Sequence, residues 1–153
     1  MDLYDIEMEI FCCPLAKFSE CIGRFDCHPI LGFGTDKPEF LVLGENPALR
    51  DGIWRDCKSL EGIKRLYFRE CMESKHNYGR LLKTLETIVP SFRIPETVYL
   101  SDIVKCPVIK GKPSNAMLEQ CKSAYVEKTI QLLKPKFIVG LGRLPTKLVG
   151  GYE

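Results

Sequence analysis

The sequence predicts an α/β domain in which a parallel sheet lies between two helical layers, a three-layer α/β/α architecture. Three observations carry that prediction. Three short apolar runs, Phe40-Leu41-Val42-Leu43-Gly44, Val98-Tyr99-Leu100-Ser101-Asp102-Ile103-Val104 and Phe137-Ile138-Val139-Gly140-Leu141-Gly142, read as buried strands. Segments with helical spacing of apolar residues separate them. Finally, a chain of 153 residues with 45% hydrophobic and 27% charged content is enough for one core but not two. Residues 1–153 are therefore expected to form a single domain.

Each element has its own signal. After the first apolar run, a helix is predicted from about Asn77 to Val89, because Leu81, Leu82, Leu85 and Ile88 share one stripe and Pro90 closes it. After the second, Pro113-Ser114-Asn115 offers N-cap chemistry for a helix running to about Leu133, with Val126, Ile130 and Leu133 on one face. Lys134-Pro135 ends it. Arg50 to Lys75 has no clean period and reads as a loop with a short helix. Another helix begins near Leu144, and the sequence ends at Glu153 before the further strand that the alternation leads one to expect. Parallel sheets place ligands at the carboxyl ends of their strands. The segments to watch are Gly44 to Asp51, Asp102 to Ser114, and Gly142 onward.

A formal charge of only +2 excludes a protein that holds nucleic acid by overall basicity, so any basic surface must be local. The N-terminus, MDLYDIEMEIF, is acidic where a signal peptide is basic, and no apolar run reaches the roughly 18 residues of a membrane span. A cytoplasmic location is expected. Eight cysteines in a reducing compartment point to ligation, catalysis or plain burial rather than disulfides.

Position sorts the cysteines. Cys106 follows the second apolar run and Cys121 lies inside the next helix, which brings both near one end of the sheet. Cys12, Cys13, Cys21 and Cys27 precede the first run and can return to the same end. Four converging thiolates suit a 4Fe-4S cluster or, alternatively, a structural zinc. Cys57 and Cys71, in the irregular middle, read as small buried hydrophobes.

Taken in order, Phe40-Leu-Val-Leu-Gly44-Glu45-Asn46-Pro47, Val98-Tyr-Leu-Ser-Asp-Ile-Val-Lys105-Cys106-Pro107, Cys121 and Lys134-Pro-Lys-Phe-Ile-Val-Gly-Leu-Gly142 resemble the iron-sulfur uracil-DNA glycosylases, family four of that superfamily. The resemblance implies a four-stranded parallel sheet, with a final strand missing from this sequence. It also implies a cluster held by Cys106, Cys121 and two N-terminal cysteines. Cys13 and Cys21 are the expected pair, with Cys12 and Cys27 as substitutes.

Cleaving a base from deoxyribose requires flipping the nucleotide, reading the base edge, stabilising the anionic leaving base and supporting the cationic sugar while water attacks. The resemblance implies that the turn Gly44, Glu45, Asn46 and Pro47 lies against base and sugar. Glu45 orients the turn or the water, and Asp51 is a second carboxylate. The position of Asp102 is usually an asparagine in the family. An ionised carboxylate only accepts hydrogen bonds, so it is repelled by uracil O4 and tolerates the amino group of cytosine. Lys105, Lys110 and Lys112, with Arg143 and Lys147, form the expected phosphate-contacting group.

Tyr67, Phe68 and Tyr78 fall near the family's base-stacking segment and read as packing residues, while Trp54 reads as a packing anchor or a DNA wedge. The family's histidine loop follows a later strand, which this sequence does not reach. Neither His28 nor His76 has its location. The expectation is a DNA-repair hydrolase, monomeric, acting on single- or double-stranded DNA. The alternative is a catalytically inactive iron-sulfur module that binds nucleic acid or a protein partner.

Overall fold

The computed structural model describes residues 1–13, 32–47, 59–73, 77–106 and 112–150. Helix α1 spans Leu3–Phe11 and begins with a reciprocal cap: the Asp2 carboxylate accepts from the Asp5 amide at 3.0 Å, and the Asp5 carboxylate accepts from the Asp2 amide at 2.7 Å. Strand β1 is Phe33–Gly34, β2 is Phe40–Gly44 and β3 is Val98–Asp102. Between β2 and β3 lie α2, Leu60–Met72, and α3, Asn77–Ile88. The Ser59 hydroxyl caps α2 by accepting from the Gly62 amide at 3.1 Å.

Helix α4, Asn115–Cys121, is capped by Ser114 as its sequence predicts, with Oγ 3.2 Å from the Met117 amide nitrogen. It passes into one π-helical turn, Lys122–Val126, and then into α5, Glu127–Leu133. The single expected helix is thus interrupted. Its buried residues include Met117, Cys121, Tyr125, Thr129 and Leu133, which recur every four positions. On a regular helix that spacing drifts by about 40° per step, and a wider turn absorbs part of the drift. Lys134 in the left-handed conformation, φ 45°, ends α5. Strand β4, Phe137–Gly140, and α6, Arg143–Val149, complete the described fold.

The sheet order is β1-β3-β2-β4. Strands β3, β2 and β4 are parallel as predicted, with Phe40 opposite Val98 and Phe137, and Gly44 opposite Asp102. The all-parallel expectation needs one correction, because β1 runs antiparallel to β3. This two-residue strand carries no apolar run. Gly34 allows it by its backbone: φ is 143° and a Cβ there would lie 2.1 Å from the Val98 carbonyl oxygen.

Side chains of β2 and β3 alternate between two cores. Phe40, Val42, Val98 and Leu100 pack with Ile63, Tyr67 and Leu82 of α2 and α3. Leu41, Leu43 and Tyr99 pack with Val126 and Leu133, with Ile130 and Leu148 of α5 and α6 at the margin. Helices therefore cover both faces of the sheet. Leu41, Val42, Leu43, Val98 and Leu100 are each at most 1% exposed, a contribution of about 1.5–3 kcal/mol per side chain. Among the described residues no helix is long and apolar enough to cross a membrane.

Candidate functional site at the carboxyl ends of the central strands

Backbone pairing continues past the strands and gathers three loops at one end. The Ile103 amide donates to the Gly44 carbonyl at 2.9 Å, that of Val104 to Glu45 at 3.0 Å, and that of Leu141 to Leu43 at 2.9 Å. Glu45, Asn46 and Pro47 therefore stand beside Ile103 to Cys106. The Asn46 side-chain amide donates to the Pro47 carbonyl at 3.0 Å, which stiffens the turn; Glu45 is half-buried and Pro47 buried.

Asp102 occupies the middle of this end. Its carboxyl lies over Gly44, where a Cβ would come within 2.1 Å of Oδ1 and 3.2 Å of the Tyr78 ring. Only a residue without a side chain leaves that space. Burial lifts the Asp102 carboxyl from 3.8 to about 6, against the pull of the Lys105 ammonium and the Tyr67 hydroxyl. Burial pushes Lys105 down to about 8, opposed by Asp102 and Cys121.

Lys105 stands elsewhere than its expected role requires. It is 2% exposed, and Nζ donates to Ser101 Oγ at 2.7 Å and to the Asp102 carbonyl at 2.5 Å. An ammonium so enclosed forms the wall of the site and does not face a phosphate. Lys112, Arg143 and Lys147 are exposed. Lys110 and Asp51 lie outside the described residues, as do Trp54, His28 and His76.

Tyr67 from α2 and Tyr78 from α3 supply what the sequence did not disclose. Both rings pack as expected, yet both hydroxyls end near Asp102. The Tyr67 hydroxyl is set toward the Asp102 carboxyl and favours its charged form, though neither phenolic oxygen makes a hydrogen bond of ordinary geometry. An unmade hydrogen bond on a buried hydroxyl costs about 1–3 kcal/mol. Burial, and then the Asp102 charge, raises both phenols well above their usual range. Cys71, on the same side, is pushed up chiefly by burial and again by Asp102. Phe68 stacks on Phe33 with centroids 4.4 Å apart.

A second group holds the cysteines. Cys13, Cys106 and Cys121 are buried in one core cluster with Tyr125, whereas Cys12 is exposed. The Tyr125 hydroxyl engages Cys13 and lies within electrostatic reach of Cys121. Three of the expected ligand residues thus lie in the same large core cluster. Among the described residues, however, no group of three His, Cys, Asp or Glu side chains is placed to hold a metal ion. Cys21, Cys27 and Cys57 lie outside the described residues.

Three parallel strands with helices on both faces, joined by a short antiparallel edge strand, are the architecture that the apolar runs suggested in its parallel part, and its central carboxyl ends carry a glycine turn and a buried carboxyl. The uracil DNA glycosylase superfamily model matches residues 31–152, and the chain belongs to that superfamily. It is similar to the Type-4 uracil-DNA glycosylase of Sulfurisphaera tokodaii, 26% identical over 149 residues. That alignment covers 96% of this chain and 57% of the relative, so the chain spans little more than half the relative's length.

Proposed function

We propose that this chain is a DNA-repair glycosylase domain that hydrolyses the N-glycosidic bond of uracil or another deaminated base in DNA. The observation that carries the reading is the pairing of Gly44 with Asp102 at the ends of the two central strands, in a chain of the uracil DNA glycosylase superfamily. Ligands of parallel sheets meet the protein at this end. Gly44 leaves room for the Asp102 carboxyl over the backbone, and that carboxyl and the adjoining hydroxyls are groups that read a base edge.

Within this reading Glu45, half-buried on the rigid turn, orients the attacking water and favours the developing sugar cation. Asn46 and Pro47 hold that turn, Asp102 meets the base, and Lys112 is the described phosphate contact of the Lys105 to Lys112 segment. DNA is the partner and the cytoplasm the compartment. Cys13, Cys106 and Cys121, with Cys21 as fourth ligand, would hold a 4Fe-4S cluster, supported by the burial of the first three in one core cluster. When bound, such a cluster supplies a rigid cross-link between distant segments; hydrolysis of a glycosidic bond needs no electron transfer.

One preparation tests both halves. Purified protein incubated with a uracil-containing oligonucleotide should leave alkali-labile abasic sites, and it should carry iron and sulfide that Cys106→Ser removes. Binding without abasic sites would favour the non-catalytic module. Stoichiometric zinc in a colourless protein would replace the cluster assignment.

A further inference from the structure

Asp102 is the buried titratable group that the glycosylase reading leaves unsettled. An ionised carboxylate offers only acceptors, whereas the imide edge of uracil presents an acceptor, O4, beside a donor, N3–H. The surroundings of Asp102 bear on this conflict. Among the described residues, the cation acting on it, Lys105, directs its hydrogen bonds to Ser101 Oγ and to the Asp102 main-chain carbonyl. The other titratable groups facing it are Tyr67 and Cys71 from α2 and Tyr78 from α3, and none carries positive charge. Gly44 of β2 contributes no side chain. Neither phenolic oxygen beside it makes a hydrogen bond of ordinary geometry, although the Tyr67 hydroxyl is set where it favours the carboxylate. Burial is the larger influence, so the site disfavours a carboxylate anion even against Lys105 and Tyr67.

We propose that Asp102 reads the base as a neutral acid, its O–H donating to the carbonyl oxygen of an imide edge and its C=O accepting from the adjacent ring N–H. The substrate class is then a base with a neighbouring carbonyl and N–H, the product of deaminating an amino-substituted ring. This rests on the glycosylase reading above and adds how the base is recognised. The neutral form is supported by the buried carboxyl's rise to about 6, and a stacked base that removes the last water strengthens the same bias. Neutral carboxylic acids held in apolar sites serve as hydrogen-bond donors in other enzymes.

Binding tests this without requiring cleavage. The probes are two single-stranded oligonucleotides, one with a 2′-fluoro-2′-deoxyuridine, which resists hydrolysis, and one with its N3-methylated counterpart. Both present identical phosphates, so the ratio of their affinities isolates the base edge. In the wild-type protein the preference for the unmethylated base should fall by at least about tenfold between pH 5.5 and 7.5, following the neutral fraction of the acid. In Asp102→Asn, whose amide keeps its donor at both pH values, the preference should persist unchanged. An equal wild-type preference at both pH values, no preference at either, or the same pH dependence in Asp102→Asn overturns the proposal. The preference without abasic-site formation on ordinary deoxyuridine defeats the glycosylase reading alone. Abasic-site formation without the pH-dependent preference defeats this inference alone.

Discussion

Asp102 shows how the burial of one side chain makes stability depend on pH. Its folded carboxyl binds a proton more tightly than the ordinary value of 3.8 allows, with the midpoint moved to about 6. The stability it contributes is therefore fully present below 3.8 and lost as pH rises through 6. The loss is about 3 kcal/mol, because each pH unit is worth about 1.4. Asp102→Asn removes it, so urea unfolding should find the variant more stable by about 2–3 kcal/mol at pH 7.5, with the gain shrinking toward pH 4. A pH-independent difference would contradict the assignment. Asp102 was legible in the sequence because it ends an apolar run. Tyr67 and Tyr78 were not, since helical periodicity says that a ring faces inward but not which polar group its hydroxyl meets. Lys105 looks like a surface residue by type, yet Val104 and Cys106 on either side are buried and the backbone carries it inside with them.

At the scale of elements, α1 is the piece that the sequence left unread. Ile6 and Ile10 enter the core, and Glu7, only 2% exposed, joins α1 to α2 and β3. Its carboxylate accepts from Lys64 Nζ at 2.8 Å and from the Tyr99 hydroxyl at 3.2 Å. Docked this way, α1 places Cys13 in the core that also buries Cys106 and Cys121. Glu9 meets Lys128 of α5 at 2.6 Å near the surface. Burial separates the two ion pairs in energy. Glu7→Ala leaves an ammonium and a hydroxyl unpaired inside and should cost about 3–5 kcal/mol in denaturant unfolding, whereas Glu9→Ala should cost about 1 kcal/mol or less. Equal costs would show that α1 is held by its apolar face alone. Acidic residues among the apolar ones of α1 hid its amphipathic stripe, and the Ser59 cap shows why α2 is a full helix where the sequence suggested a short one.

For the whole molecule, the layered α/β class was legible because buried parallel strands announce themselves as continuous apolar runs and the segments between them repeat at helical spacing. What was not legible depends on contacts remote in sequence: the antiparallel β1, the π-turn after Cys121, and the separation of buried Cys13 from exposed Cys12. The same end of the sheet gathers the Gly44 turn, the buried acid and two buried phenolic hydroxyls, and the account stands on a base being met there. Titrating isotope-labelled protein with free uracil at pH 5.5 and following amide and tyrosine-ring resonances tests this directly. The largest shifts should fall on Gly44, Glu45, Asp102, Tyr67 and Tyr78, with β4 and α5 little changed. Shifts concentrated elsewhere, or none at saturating uracil, would contradict it.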